Sequence, residues 1–157
     1  MKAQILTLAT ILSLTLLNTG YSKENAATQT APESSIKLPR AKSPMGAKVF
    51  IIEPANGATV SNPVVVKFGI QGMELAPAGE VKDKQGHHHL LVDVDLLPPL
   101  NQPLPSTDKV IHFGKAQTET TLTLSPGEHT LQLLLAGGNH VPNDPPVMSK
   151  KIKIKVK

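Results

Sequence analysis

Short β-prone runs recur along residues 47–157 at nearly regular spacing, and each is cut off by proline, glycine or asparagine before it reaches helical length. Lys48-Val49-Phe50-Ile51-Ile52 opens the series and ends at Glu53-Pro54-Ala55-Asn56-Gly57, whose proline, asparagine and glycine are turn formers. Further runs cover 64–70, 87–96, 110–114, 119–124, 129–135 and 149–156. No segment shows a convincing helical period. Residues 97–108, with Pro98, Pro99, Pro103 and Pro105, can form neither a helix nor a central strand and read as a long, stiffened loop. Seven short strands in a stretch of this size predict an all-β fold, a single immunoglobulin-like antiparallel β-sandwich. The turn Leu124-Ser125-Pro126-Gly127-Glu128-His129 has the form of the corner entering the sixth strand of such sandwiches, where a tyrosine often bonds back to the backbone. His129 takes that place here, so it is expected to tie the corner.

Upstream of the domain the pattern changes twice. Residues 1–22 read as a secretory signal peptide: Lys2 is the only charge, an apolar stretch covers 5–17, and small or polar residues follow. Cleavage is expected near Ser22 or, alternatively, near Ala27. The apolar stretch falls short of the roughly 20 residues a membrane span needs, so no transmembrane segment is expected. Residues 23–46 are rich in Ala, Ser, Thr, Pro and charge and read as a flexible, disordered linker. The β-sandwich domain then occupies 47–157, in a chain expected to be exported to the periplasm or the extracellular space. With no cysteine in the sequence, a lipid-bearing cysteine, a disulfide, a thiol nucleophile and a blue-copper thiolate are all excluded.

The formal charge of +4 belongs to the C-terminus. Without Lys2 the chain has 15 basic and 12 acidic residues, and without Lys150, Lys151, Lys153, Lys155 and Lys157 the balance is 10 to 12. In Lys151-Ile152-Lys153-Ile154-Lys155-Val156-Lys157 the period is two, which puts lysine on one face and apolar residues on the other. That pattern reads as an exposed strand kept soluble and protected from edge pairing. Few aromatic rings are available for stacking on bases or sugars, so no nucleic-acid partner is expected and carbohydrate recognition is a minor alternative.

Three of the six histidines stand together in Gly86-His87-His88-His89-Leu90-Leu91-Val92-Asp93. Strand parity places His87 and His89 on one, mostly polar face, expected to be exposed, and His88 at the end of the apolar row facing the core. A core histidine is expected to bond its nitrogens to backbone. Two imidazoles one strand step apart can share a metal ion, but a third ligand is needed for affinity. His112, beside Gly114, which permits close approach, and His140, in the loop between the last two strands, are the histidines left to complete a site. The candidate metal ligands are therefore His87, His89, His112 and His140. Nitrogen donors, with an oxygen from Asp144 or a glutamate, suit zinc or divalent copper. Met73 and Met148 are possible thioethers for monovalent copper, although lone methionines usually fill cores. No acidic loop suits calcium.

The segments GHHHLLVDVD, IHFGKAQTETTLTLSPGEHTLQL and GGNHVPNDPPVMSKKIKIKV cover most of 47–157, and in order and spacing they resemble the bacterial exported family catalogued as domain of unknown function 4399. The resemblance implies an exported single-domain β protein and no established activity. The family pattern places another histidine near Asn143 and an acidic residue near Gly138; this chain departs at both, which puts in doubt any role those positions serve in relatives.

Three functions compete on this sequence. The first is an exported, non-enzymatic binding module with a histidine-lined surface for zinc or copper. The second is a structural or protein-interaction sandwich whose histidines are fixed by hydrogen bonds and hold no metal. The third, a hydrolase assembled from histidines, Asp93, Asp95 and serines, is the weakest, since neither a Gly-x-Ser-x-Gly turn nor an HExxH helix is present.

Overall fold

The computed structural model describes residues 38–157; the signal peptide read at 1–22 and the linker residues 23–37 lie outside them. Nine strands follow one another: β1 (Lys48–Glu53), β2 (Thr59–Val60), β3 (Val64–Gln71), β4 (Glu74–Leu75), β5 (Gln85–Val92), β6 (Val110–His112), β7 (Glu119–Leu122), β8 (Gly127–Ala136) and β9 (Ile152–Val156). The described residues contain no helix, and so none long and apolar enough to cross a membrane. All seven runs expected from the sequence form strands. The two-residue strands β2 and β4 are additions, and they pair parallel, to β9 and β5 respectively.

The strands form two sheets. β1-β3-β7 is one, antiparallel throughout; the other runs β2-β9-β8-β5-β4, with β6 also paired to β5. Val49, Val64, Val66, Phe68 and Leu122 from the first sheet meet Leu90, Leu131, Leu133, Leu135, Ile154 and Val156 from the second in one buried cluster. The period-two pattern of β9 holds: Ile154 and Val156 are buried while Lys153 and Lys155 are exposed. β9 is nevertheless an inner strand for part of its length, because β2 pairs with Lys155 and Val156 on its far side.

Two expectations need correction. β5 is buried on both faces. Its even face, with Leu90 and Val92, enters the main core, but its odd face carries Leu91 into a second cluster with Leu104, Val110, Leu134 and Ala136, and Leu100 packs against that cluster. Leu100 and Leu104 belong to the proline-rich stretch, which therefore covers this face of the sheet at Leu91, Val110 and Leu134. The strand also stops at Val92, short of the expected 96, and Asp93 follows with a left-handed φ of 52°.

The second correction concerns the linker. Residues 38–46 dock against the loop after β8: Ser43 N donates to Asp144 O at 3.1 Å, Asp144 N donates to Ala41 O at 3.0 Å, and Ala41 is fully buried. Backbone pairing and an apolar contact hold a segment whose composition alone reads as tether.

Candidate metal centre

Strand pairing assembles the histidines. His89 on β5 lies directly opposite His112 on β6 in the antiparallel register, and directly opposed side chains share a face. His87 is two residues earlier on the same face. His140 reaches the group from the turn after β8, where its N–H donates to Gly137 O at 2.9 Å and its φ is 66°. A non-glycine residue in that region is uncommon and persists only when its surroundings hold it.

The four rings are in mutual contact. Ring centres lie 4.9 Å apart for His87 and His89, 4.9 Å for His87 and His112, 5.2 Å for His87 and His140, 5.1 Å for His89 and His112, and 4.7 Å for His112 and His140. The pair His89 and His140 is wider, at 6.2 Å. One ligand nitrogen from each of His87, His89 and His112 can be chosen so that all lie within 4.8 Å of one another; His140 touches this group by its ring but is not a member of it. His87 Nε2 and His112 Nε2 are 3.2 Å apart. Gly114 makes room for this: a Cβ there would sit 2.2 Å from His112 Cε1 and 2.5 Å from Nε2. The close approach anticipated at that glycine is thus made by the ring of His112 itself.

Burial sets the charge of the group. His87 and His89 are completely enclosed, contrary to the exposure expected of them, whereas His112 and His140 are half-buried. Desolvation, followed by repulsion from His112, His140 and His88, pushes His87 down to about 4. Desolvation and the neighbouring rings push His89 down to about 3, and His112 is lowered by burial and by His140. Around neutral pH these three rings are neutral and each carries a nitrogen lone pair, the form in which imidazole binds a metal. His87 Nδ1 and His89 Nδ1 are buried with no hydrogen-bond partner among the described residues.

The other sequence candidates lie elsewhere. Asp144 pairs with Arg40 and Lys42, each at 3.4 Å. Met73 packs against the main core, and Met148 lines a groove beside β1. His88 is buried beside Phe68, their ring centres 5.3 Å apart, and burial pushes it down to about 4. The expected bonds to backbone are missing, since neither of its nitrogens has a partner among the described residues.

His129 ties its corner. Nε2 lies 2.8 Å from Ser125 O and Nδ1 lies 2.7 Å from Asp93 Oδ2; both neighbours are acceptors, so both ring nitrogens must donate. Both contacts favour the protonated ring. The Asp93 bond raises its pKa, burial opposes this, and Ser125 adds to the rise. Ser125 Oγ, 3.4 Å from Nε2, completes the order of a Ser-His-Asp triad. In this geometry the ring points both nitrogens at acceptors and turns neither lone pair toward the serine hydroxyl.

A family model described as Domain of unknown function (DUF4399) matches residues 66–157, more than half of the 157-residue chain. The chain belongs to this family. The DUF4399 match runs from Val66 within β3 to the end of β9 and takes in all four clustered histidines, while β1, β2 and the docked residues 38–46 precede it. Comparisons with curated proteins and with solved structures return no match.

Proposed function

We propose that this DUF4399 domain is an exported, non-enzymatic module that holds one metal ion, zinc or copper, on His87, His89 and His112, with His140 closing the shell. The observation that carries this reading is the convergence of three imidazole nitrogens to within 4.8 Å, two from buried rings and one from the half-buried His112. Spacing supports it further. Two nitrogens bound tetrahedrally at about 2.0–2.1 Å from a metal are about 3.3 Å apart, and His87 and His112 offer theirs at 3.2 Å.

Ring spacing also favours zinc within this pair. A metal about 2.0–2.1 Å from each nitrogen lies about 3.2 Å from each ring centre, so four tetrahedral rings have centres about 5.2 Å apart. A square-planar set, preferred by divalent copper, would put neighbours at about 4.5 Å and both opposite pairs at about 6.4 Å. One pair here is long, at 6.2 Å, but the opposite pair, His87 and His112, is only 4.9 Å apart. One long opposite pair is therefore not matched by the other, as a square-planar set would require.

Export rests on the signal-like sequence at 1–22, and the absence of catalysis on the missing nucleophile and metalloprotease motifs. We read the two-sheet architecture as immunoglobulin-like, with the His129 corner as its support. A second reading, favoured by the 3.2 Å contact of His87 and His112, takes that contact as a hydrogen bond between neutral rings in a purely structural domain. Thermal melting of metal-stripped protein separates the two. Zinc at saturation should raise the Tm of the wild type and leave that of His87→Ala/His89→Ala unchanged. A wild-type Tm indifferent to both zinc and copper would establish the structural reading instead.

A further inference from the structure

We infer that Arg40 is a positioning residue for His140, fixing the fourth imidazole of the site from a segment outside the family match. The inference rests on the metal reading above. Arg40 is the sole arginine of the chain. Its Nε donates to Pro142 O at 2.9 Å and its Nη2 to Asn143 O at 2.6 Å, so one guanidinium grips two successive carbonyls just beyond His140. Nη1 lies 3.4 Å from the Asp144 carboxylate. On the other side of His140, Asn139 Nδ2 donates to Pro39 O at 2.7 Å. Residues 39 and 40 thus bracket the histidine from both sides.

The backbone of His140 is left-handed, and its turn is held by hydrogen bonds: within it the N–H to Gly137 O, Gly137 N to Val141 O at 3.0 Å and Val141 N to Asn139 Oδ1 at 3.2 Å, and from outside Gly79 N to Gly138 O at 2.8 Å and Leu104 N to the His140 carbonyl at 3.0 Å, none of which fixes the chain beyond Val141 as Arg40 does. Two glycines precede it, Gly137 and Gly138, and they resist unwinding least. His87 and His89 sit on a central strand and His112 on β6, fixed by ladder pairing. His140 alone depends on loop contacts. The grip also reaches the strand: Asn143 is fully buried and its Nδ2 points to Gln85 O at 3.3 Å, two residues before His87. A lysine at position 40 could supply a point charge but not the fork that meets two carbonyls at once.

The test is a double-mutant cycle read by zinc affinity and by the visible spectrum of cobalt(II), on wild type, Arg40→Ala, His140→Ala and the double variant. Loss of an outer support typically costs about 10- to 100-fold in metal affinity. Arg40→Ala should weaken zinc by that factor and shift the cobalt spectrum toward that of His140→Ala, and it should have no further effect once His140 is gone. Arg40→Lys should behave like Arg40→Ala. An equal loss in the His140→Ala background would mean that Arg40 acts through general stability, and would overturn the inference. The ring carbon–proton NMR signals of metal-free protein give a second readout: in Arg40→Ala the His140 signals should move while those of His89 stay. Unmoved His140 signals contradict the positioning role even if zinc binds, whereas a wild type that binds neither ion while those signals do move contradicts the metal reading alone.

Discussion

Gly114 shows how a single residue can control the site. The His112 ring occupies the space where any other side chain would begin, with a would-be Cβ only 2.2 Å from Cε1. Gly114→Ala should therefore push that ring away from His87 and weaken zinc about 10-fold in calorimetric titration, the scale of loss expected for a displaced ligand's support. Unchanged affinity would mean that His112 is dispensable. His129 is a second case, and its effect is on stability. Against burial, which pushes it up, the Thr130 amide and His129 hold the Asp93 carboxyl below its ordinary 3.8; His129 is raised above its ordinary 6.5. The Asp93 contribution is present above pH 3.8 and is lost as pH falls through its lowered value. The His129 contribution is complete below pH 6.5 and is lost as pH rises through its raised value. The corner is thus at full strength between about pH 4 and 6.5. His129→Gln should lower stability by about 1–2 kcal/mol at pH 5.5, and the gap in Tm between variant and wild type should narrow by pH 9. A gap that widens with pH would contradict a cationic corner. The corner role was readable from the Ser-Pro-Gly-Glu-His turn; the Asp93 partner was not, because 36 residues separate the two in sequence.

At the scale of elements, strand parity correctly sorted β5 into a His87, His89, Leu91 face and a His88, Leu90, Val92 face. Parity says nothing about what covers a face. The signal for burial lay on the neighbouring strand: β8 ends in the unbroken apolar run Leu133-Leu134-Leu135-Ala136, and these residues pair with Leu90, His89, His88 and His87 in turn. An unbroken run marks a strand with both faces covered. Leu134 is fully buried on the face that carries the metal candidates. Leu134→Ala should cost about 2–5 kcal/mol in denaturant unfolding, the range for emptied core positions. A loss below about 0.5 kcal/mol, the level of surface changes, would mean that this face is open. The docked segment 38–46 escaped notice for a different reason. Arg40 and Ser43 hold the loop after β8 mainly through bonds to backbone carbonyls, and such bonds leave no hydrophobic period in the sequence.

For the whole molecule, the histidines come from three separate stretches, and the topology gathers them: β6 pairs with β5 on the side opposite β8, and the turn after β8 then bends back over the face they share. That His87, His89 and His112 converge, with the His140 ring against them, could not be read from spacing along the chain, because it depends on which strands become neighbours. A ligand bound only by the folded state stabilises it by mass action, by about 2.7 kcal/mol at a concentration 100 times Kd. The zinc-dependent rise in stability should accordingly grow with the logarithm of free zinc above Kd. The most direct test of the metal assignment is X-ray absorption at the zinc edge of loaded, dialysed protein. A four-coordinate nitrogen shell at about 2.0–2.1 Å is predicted, with the outer-shell scattering of at least three imidazoles. Zinc lost on dialysis, or a six-coordinate oxygen shell without imidazole scattering, would contradict it.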